Sequence, residues 1–262
     1  MRALFASSFF ALAITTAVNA QDAPAAAVAP AAVPAAAVDS LQEARDLIEI
    51  APNTKENLKK GIALYEAKLS DATLPVKVRA DGWADAARAW LRYGDLETGN
   101  AAKVAAYGKG RAAAQKGIAL DARHVEALFW DNANLATTGR TNGVMNSLFM
   151  LGDLRKGLDK ILKIDPGHAY AKKTLAEIDH AVPGLAGGSD DRAEKAYLEV
   201  LKDDPFFTPA MVNLAQFYKD KGKDDEAKKW AQKTLATTRS SVPNDWKKFD
   251  KKGAQQILKE LE

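Results

Sequence analysis

The chain has 262 residues, of which 47% are hydrophobic and 27% charged, with a formal net charge of +3. This length suits one large domain or a run of stacked repeats, and the absence of cysteine excludes disulfides, thiolate metal sites, iron–sulfur clusters and cysteine nucleophiles. The mild basic surplus is dispersed: the densest run, Lys219 to Lys233, is interleaved with Asp220, Asp224, Asp225 and Glu226, the pattern of a solvated helix face and not of a nucleic-acid-binding stripe.

The N-terminus reads as a targeting segment. Met1-Arg2 is a short charged start, and Ala3 to Val18 is apolar, with Phe9, Phe10, Leu12 and Ile14. Val18-Asn19-Ala20 then puts small residues where a signal peptidase cleaves, so residues 1–20 are expected to be a secretory signal peptide. The apolar run falls short of the roughly 20 residues of a spanning helix, and no cysteine follows to be lipidated. The processed chain is therefore expected to be a soluble periplasmic protein with no membrane segment. Residues 21–38 are alanine-rich and interrupted by Pro24, Pro30 and Pro34, which predicts an extended, disordered tether. The folded domain is expected over 39–262.

From Asp39 onward the apolar spacing is helical, and no stretch alternates as a strand does. A capping box, Ser40 and Glu43, predicts the first helix start, ahead of Leu41, Ala44, Leu47 and Ile48. Further helices are expected at about Thr54–Ser70, Val76–Tyr93, Ala101–Leu120, His124–Thr138 (ended by Gly139) and Asn142–Ile164. They continue at about Tyr170–Ala181, Asp190–Lys202, Thr208–Lys221, Lys223–Thr238 and Asp245–Leu261, with Pro, Gly and Asp-Pro breaks between.

About eleven helices without strands invite a search for repeats. Over 208–238, Leu214, Ala215 and Tyr218 take large-small-large positions of one helix, Gly222 the turn, and Ala227 and Ala231 the small positions of the next. Two helices cross closely only where a small residue meets a large one. Ala193, Tyr197 and Pro205, then Leu154, Leu158, Ile161 and Pro166, mark two earlier second halves. Trp83, Ala86, Ala87, Trp90 and Gly94 mark a first half, and Gly61 and Tyr65 the earliest second half. The fold expected is all-α: a tetratricopeptide-like solenoid of helical hairpins, an α-α superhelix with a concave face. Its irregular repeats carry an insertion at Pro183-Gly184-Leu185-Ala186-Gly187-Gly188.

Three stretches carry a closer resemblance. They are Glu126-Ala127-Leu128-Phe129-Trp130-Asp131-Asn132-Ala133-Asn134-Leu135, then Leu162-Lys163-Ile164-Asp165-Pro166-Gly167-His168-Ala169, and Pro183 to Asp190 running on to Ala193, Tyr197 and Asp204-Pro205. In these the chain resembles the TatT family, the tetratricopeptide T-component associated with TRAP transporters. It departs from the family where Gly167-His168-Ala169 stands in place of a Gly-Gly pair after Asp-Pro. The resemblance implies a periplasmic helical protein that contacts a solute-binding protein, with a central cavity for a small apolar ligand.

Residues for chemistry are sparse. His124, His168 and His180 lack the spacing of a zinc site; the first two fall at helix starts and the third near a helix end. No nucleophile elbow, phosphate loop or dinucleotide fingerprint occurs, and no cofactor is expected. Ser189 reads as a helix N-cap. Trp83, Trp90, Trp130 and Trp230 sit at core spacing, and Trp246 as a packing residue of the last helix, with Lys247, Lys248, Lys251, Lys252 and Lys259 toward solvent. Counted back from Gly139 as the turn, Asp131 and Asn132 occupy positions where a repeat places a large and a small residue. With Trp130, Asn134, Arg140 and Asn142 they form either a structural polar network or the lining of a ligand or partner pocket. The expected function is that of a binding or scaffold module and not an enzyme: a T-component contacting a solute-binding protein, or a cell-envelope assembly scaffold with no ligand pocket. Self-association stays open.

Overall fold

The computed structural model describes residues 35–262. The expected signal peptide, and residues 21–34 of the expected tether, lie outside the described residues. The helices are α1 (Ala35–Glu49), α2 (Lys55–Leu69), α3 (Val76–Asp95), α4 (Asn100–Leu120), α5 (Val125–Thr141), α6 (Val144–Ile164), α7 (Ala169–Ala181), α8 (Asp190–Asp203), α9 (Thr208–Asp220) and α10 (Asp224–Ala236). A final run follows: the single turn α11 (Pro243–Asp245), a π-helical segment Trp246–Asp250, and α12 (Lys251–Glu260). With that run taken as one, the described residues hold eleven helices and no strand, together with a 3-10 turn at Gly184–Ala186.

Consecutive helices pack as antiparallel neighbours, most extensively α3 on α4, and α4 in turn on α5. The turns between hairpins are built alike. Asp121, Asp165 and Asp204 end α4, α6 and α8 in extended conformation. Each backbone carbonyl accepts the amide three residues on, from His124, His168 and Phe207, and each carboxylate accepts the amide two residues on, from Arg123, Gly167 and Phe206. An Asx turn thus closes each second helix, which is why aspartate recurs there. His124 and His168 then cap α5 and α7, their Nδ1 atoms accepting the Ala127 and Ala171 amides at 3.1 Å. Thr54 caps α2 and Ser189 caps α8 in the same way, as expected for Ser189.

The core follows the small-into-large rule. Leu214, Ala215, Tyr218, Ala227 and Ala231 are buried between α9 and α10, and Gly222 takes the turn with φ +68. Upstream, Ala86 and Ala87 of α3 meet Ala113 and Ala114 of α4 in a cluster with Leu58, Ile62 and Tyr65 of α2. A single Leu or Ile of these, fully buried, contributes roughly 1.5–3 kcal/mol. Trp83 and Trp246 are buried and the other three tryptophans half-buried.

Two boundaries differ most from the sequence expectation. α1 is already helical at Ala35, ahead of Ser40, in keeping with the high helix propensity of Ala35-Ala36-Ala37. Gly139 does not end α5. It lies inside the helix, which runs to Thr141, and the turn is made by Gly143 at φ +99. Counted back from Gly143 as from Gly222, the large-small pair is Leu135-Ala136, so Asp131 and Asn132 do not stand in those repeat positions at all.

Candidate functional site

The six residues singled out around α5 go to different places. Asn134 faces α3 and α4: its Nδ2 donates to the carbonyls of Ala87 (3.2 Å) and Trp130 (2.8 Å). Asn132 faces α6, donating to the Leu154 carbonyl at 3.1 Å. Both are buried, and each is seated against a glycine. A Cβ on Gly110 would come 2.3 Å from Asn134 Oδ1, and one on Gly157 1.9 Å from Asn132 Nδ2. Reversing the Asn134 amide would set its oxygen against two carbonyls, so chemistry decides its orientation. Asp131 accepts from Arg111 of α4 at 3.2 Å. Arg140 is exposed and reaches Thr137 Oγ1 at 3.2 Å, and Asn142 is the exposed C-cap of α5. Asn132 and Asn134 wedge α5 between its two neighbours. Of the six, Trp130 alone joins the cluster described next.

That cluster joins α3, α5 and α7 to the end of α1 and to the final run, on the side of these helices that we call the inner face. Arg88 and Arg92 stand one turn apart on α3. Arg92 is only 6% exposed. Its Nη1 donates to the Ile48 carbonyl and to Glu49 Oε1, each at 3.1 Å, and its Nη2 to Asp245 Oδ1 at 2.6 Å. Tyr170 of α7 donates its hydroxyl to the other oxygen, Asp245 Oδ2, at 2.5 Å. Arg88 pairs with Glu49 and lies over the Trp130 ring, 5.5 Å from its centroid. The Trp130 indole N–H donates to Glu126 at 3.1 Å. Lys248 donates to the Ile48 carbonyl at 2.9 Å, so it turns inward and does not face solvent as expected. Phe249 stacks under Arg92, 5.5 Å away, and stays 41% exposed.

The π segment makes this geometry. The Lys251 amide bonds to the Trp246 carbonyl, one residue further back than in an α-helix. That wider turn buries Trp246 and Asp250 toward α9 and α10, with the indole N–H donating to the Thr234 carbonyl at 3.2 Å. It leaves Asp245, Lys248 and Phe249 for α1, α3 and α7.

Three cations, Arg88, Arg92 and Lys248, meet Glu49 and Asp245 here, and the carboxylates of Glu126 and Asp85 also lie close enough to act on Arg88. Arg88 Nε is buried without a hydrogen-bond partner among the described residues. Burial opposes the charge of Arg88, but Glu49 and Asp245 more than offset it and hold the guanidinium above its ordinary range. Burial and the nearby Arg92 guanidinium pull Lys248 down. Burial, and then Asp245, push the Tyr170 hydroxyl up, so it stays a donor. The sequence offered no sign of this cluster, because its members come from α1, α3, α5, α7 and the final run.

Among the described residues no helix is long and apolar enough to cross a membrane, and no three His, Asp or Glu side chains converge as metal ligands. No family model matches the chain, and no curated protein matches it. Among solved structures, the chain is similar to TTC0263, a thermophilic TPR protein of Thermus thermophilus, with a TM-score of 0.62 at 15% identity, covering 85% of this chain and 99% of that one. Two structures of MamA also align, with TM-scores of 0.40 and 0.37 at 16% and 18% identity, over 79% of this chain and 91% and 100% of theirs. The likeness to TTC0263 agrees with the helix pairing: the fold is an all-α, tetratricopeptide-like solenoid of helical hairpins.

Proposed function

We propose that this chain is an exported, non-enzymatic scaffold that holds a partner protein against the inner face of α3, α5 and α7. One observation carries the reading. Buried Arg92 and half-buried Arg88 are fixed on α3 by Glu49 and Asp245, and Arg88 Nε keeps a donor without a hydrogen-bond partner among the described residues. Groups so preorganised lose little entropy on binding. The fold supports the reading only in general terms, since stacked helical repeats form extended binding surfaces. The cluster is polar and charged, which favours a protein partner over a small apolar ligand.

The signal-peptide reading of residues 1–20 places the scaffold in the periplasm. The resemblance to the TatT family makes a solute-binding protein of a TRAP transporter the first partner to test, ahead of an envelope-assembly complex. The experiment installs a photo-crosslinking benzoylphenylalanine at Phe249, on the inner face, and at exposed Lys195 of α8 as control. Irradiation of the native cell's periplasm should give discrete adducts from position 249 alone. Adducts containing a solute-binding protein support the transporter role, and adducts containing only assembly factors replace it with the envelope role. Equal labelling from both positions, or none, overturns the scaffold reading.

A further inference from the structure

We infer that Asp245 is an internal occupant of the partner site, and that an acidic segment of the partner protein displaces it. This rests on the scaffold reading and names the chemistry of its partner.

Asp245 is gripped at both oxygens by groups from two different hairpins, Arg92 of α3 and Tyr170 of α7. Such charge-assisted bonds are what a foreign carboxylate would make there. The run that carries Asp245 is anchored elsewhere. Ala254 and Ile257 of α12 are buried with Ala215 and Ala231 of α9 and α10. Trp246 bonds to the Thr234 carbonyl, and Asp250 accepts from Thr208 at 2.7 Å. The turn at Asp245 can therefore leave the inner face while α12 stays docked. The Arg88 Nε, buried without a hydrogen-bond partner among the described residues, is a donor that an incoming carboxylate can take. Glu49 touches both arginines and would repel a dianion more than a single carboxylate, which favours an acidic peptide over phosphate or nucleic acid.

Asp245 thus competes with the partner, and apparent affinity falls in proportion to the closed population. The test uses the processed chain and a fluorescent peptide carrying six glutamates, with a glutamine-substituted peptide as control. Asp245→Asn should bind the glutamate peptide at least tenfold more tightly than the unaltered chain, and more weakly as salt rises. Adding Arg88→Gln to Asp245→Asn should remove that gain, with the melting curve reporting whether the double variant is folded. On the unaltered chain, saturating glutamate peptide should speed hydrogen exchange of the 244–249 amides while those of α12 stay protected. This readout does not depend on any variant folding. Equal binding of the glutamine peptide, tighter binding of inorganic phosphate or of an oligonucleotide, or unchanged exchange at 244–249 overturns the inference. If position 249 crosslinks a partner but these results fail, the scaffold reading stands without the acidic ligand. If the peptide results hold but no crosslink forms, the reverse follows.

Discussion

His168 of α7 and Glu126 of α5 join neighbouring hairpins, with Nε2 of the histidine 3.2 Å from the carboxylate. His124 of α5 and Asp81 of α3 repeat the arrangement at 2.8 Å. In both, Nδ1 accepts a backbone amide and so carries no proton; the ring proton sits on Nε2 and is donated to the acid. Burial resists the Glu126 charge, but the bond from His168 holds its carboxyl below the usual range. At the next junction the pair is aromatic: Tyr170 meets Phe207 edge-on with centroids 4.9 Å apart. One histidine therefore caps its own helix and ties it to the previous hairpin. His168→Ala should cost about 1–2 kcal/mol by urea denaturation. His168→Asn, which keeps a capping acceptor but cannot reach Glu126, should cost less. Equal losses would mean that the cap contributes nothing.

Gly110 and Asn134 form a second dependent pair. A methyl at position 110 would meet the Asn134 side chain at 2.3 Å, so Gly110→Ala should destabilise by about 1–3 kcal/mol. Asn134→Ala alone loses the bonds to Ala87 and Trp130 and should cost roughly 1–2 kcal/mol. Together the two should cost less than their sum by at least about 0.5 kcal/mol, because the second change vacates the space the first needs. Strict additivity in a double-mutant cycle would remove the steric account.

The insertion between α7 and α8 is held from beneath. Asp179 accepts from Arg155 of α6 at 2.6 Å and from Arg192 of α8 at 3.0 Å, and both arginines also donate to the Gly187 carbonyl. Leu185 is fully exposed above them. Burial raises the Asp179 carboxyl, but Arg192 and Arg155 outweigh it and hold it below its ordinary value. Its contribution to stability is thus present above about pH 4 and is lost as pH falls through the folded value. Asp179→Asn leaves two guanidiniums facing one carbonyl, and limited proteolysis should then cut within 182–189 several-fold faster at pH 7. An unchanged cleavage rate would show that the loop does not depend on the carboxylate.

Helix number and pairing were legible because capping residues, Asp-Pro turns and alanine spacing act locally. α2 begins one residue after Thr54, and α8 directly after Ser189. The end of α5 is not legible in the sequence because a glycine inside a helix and a glycine in a turn look the same in one dimension; only φ separates Gly139 from Gly143. With the turn set at Gly139, Asp131 and Asn132 fall on the large-small repeat positions; with it at Gly143 they do not. Asn132 and Asn134 do carry polar groups into helix crossings, but by filling the space above Gly157 and Gly110. The inner-face cluster was illegible for a different reason. Arg92 and Asp245 stand 153 residues apart and meet through the placement of the final run, whose π turn no local pattern announces.

Asp250 gives the chain a stability term of unusual sign. Burial, with Asp245 adding and the Thr208 hydroxyl opposing, pushes its carboxyl up from 3.8 to about 6. Between those values the folded state binds the proton and the unfolded state does not, so this term favours folding below about pH 4 and fades as pH rises through about 6. At pH 7 the buried carboxylate is ionised at a cost of up to about 3 kcal/mol. Asp250→Asn keeps an acceptor for Thr208 and removes the charge. It should stabilise the chain by about 1–3 kcal/mol at pH 7 and by almost nothing at pH 4. Most paired carboxylates, Asp179 among them, produce the opposite slope, so the comparison must be the difference between variant and unaltered chain at each pH. A constant difference from pH 4 to pH 7 would mean that Asp250 does not titrate in that window, and that Thr208 alone suffices to hold its charge beneath the π turn.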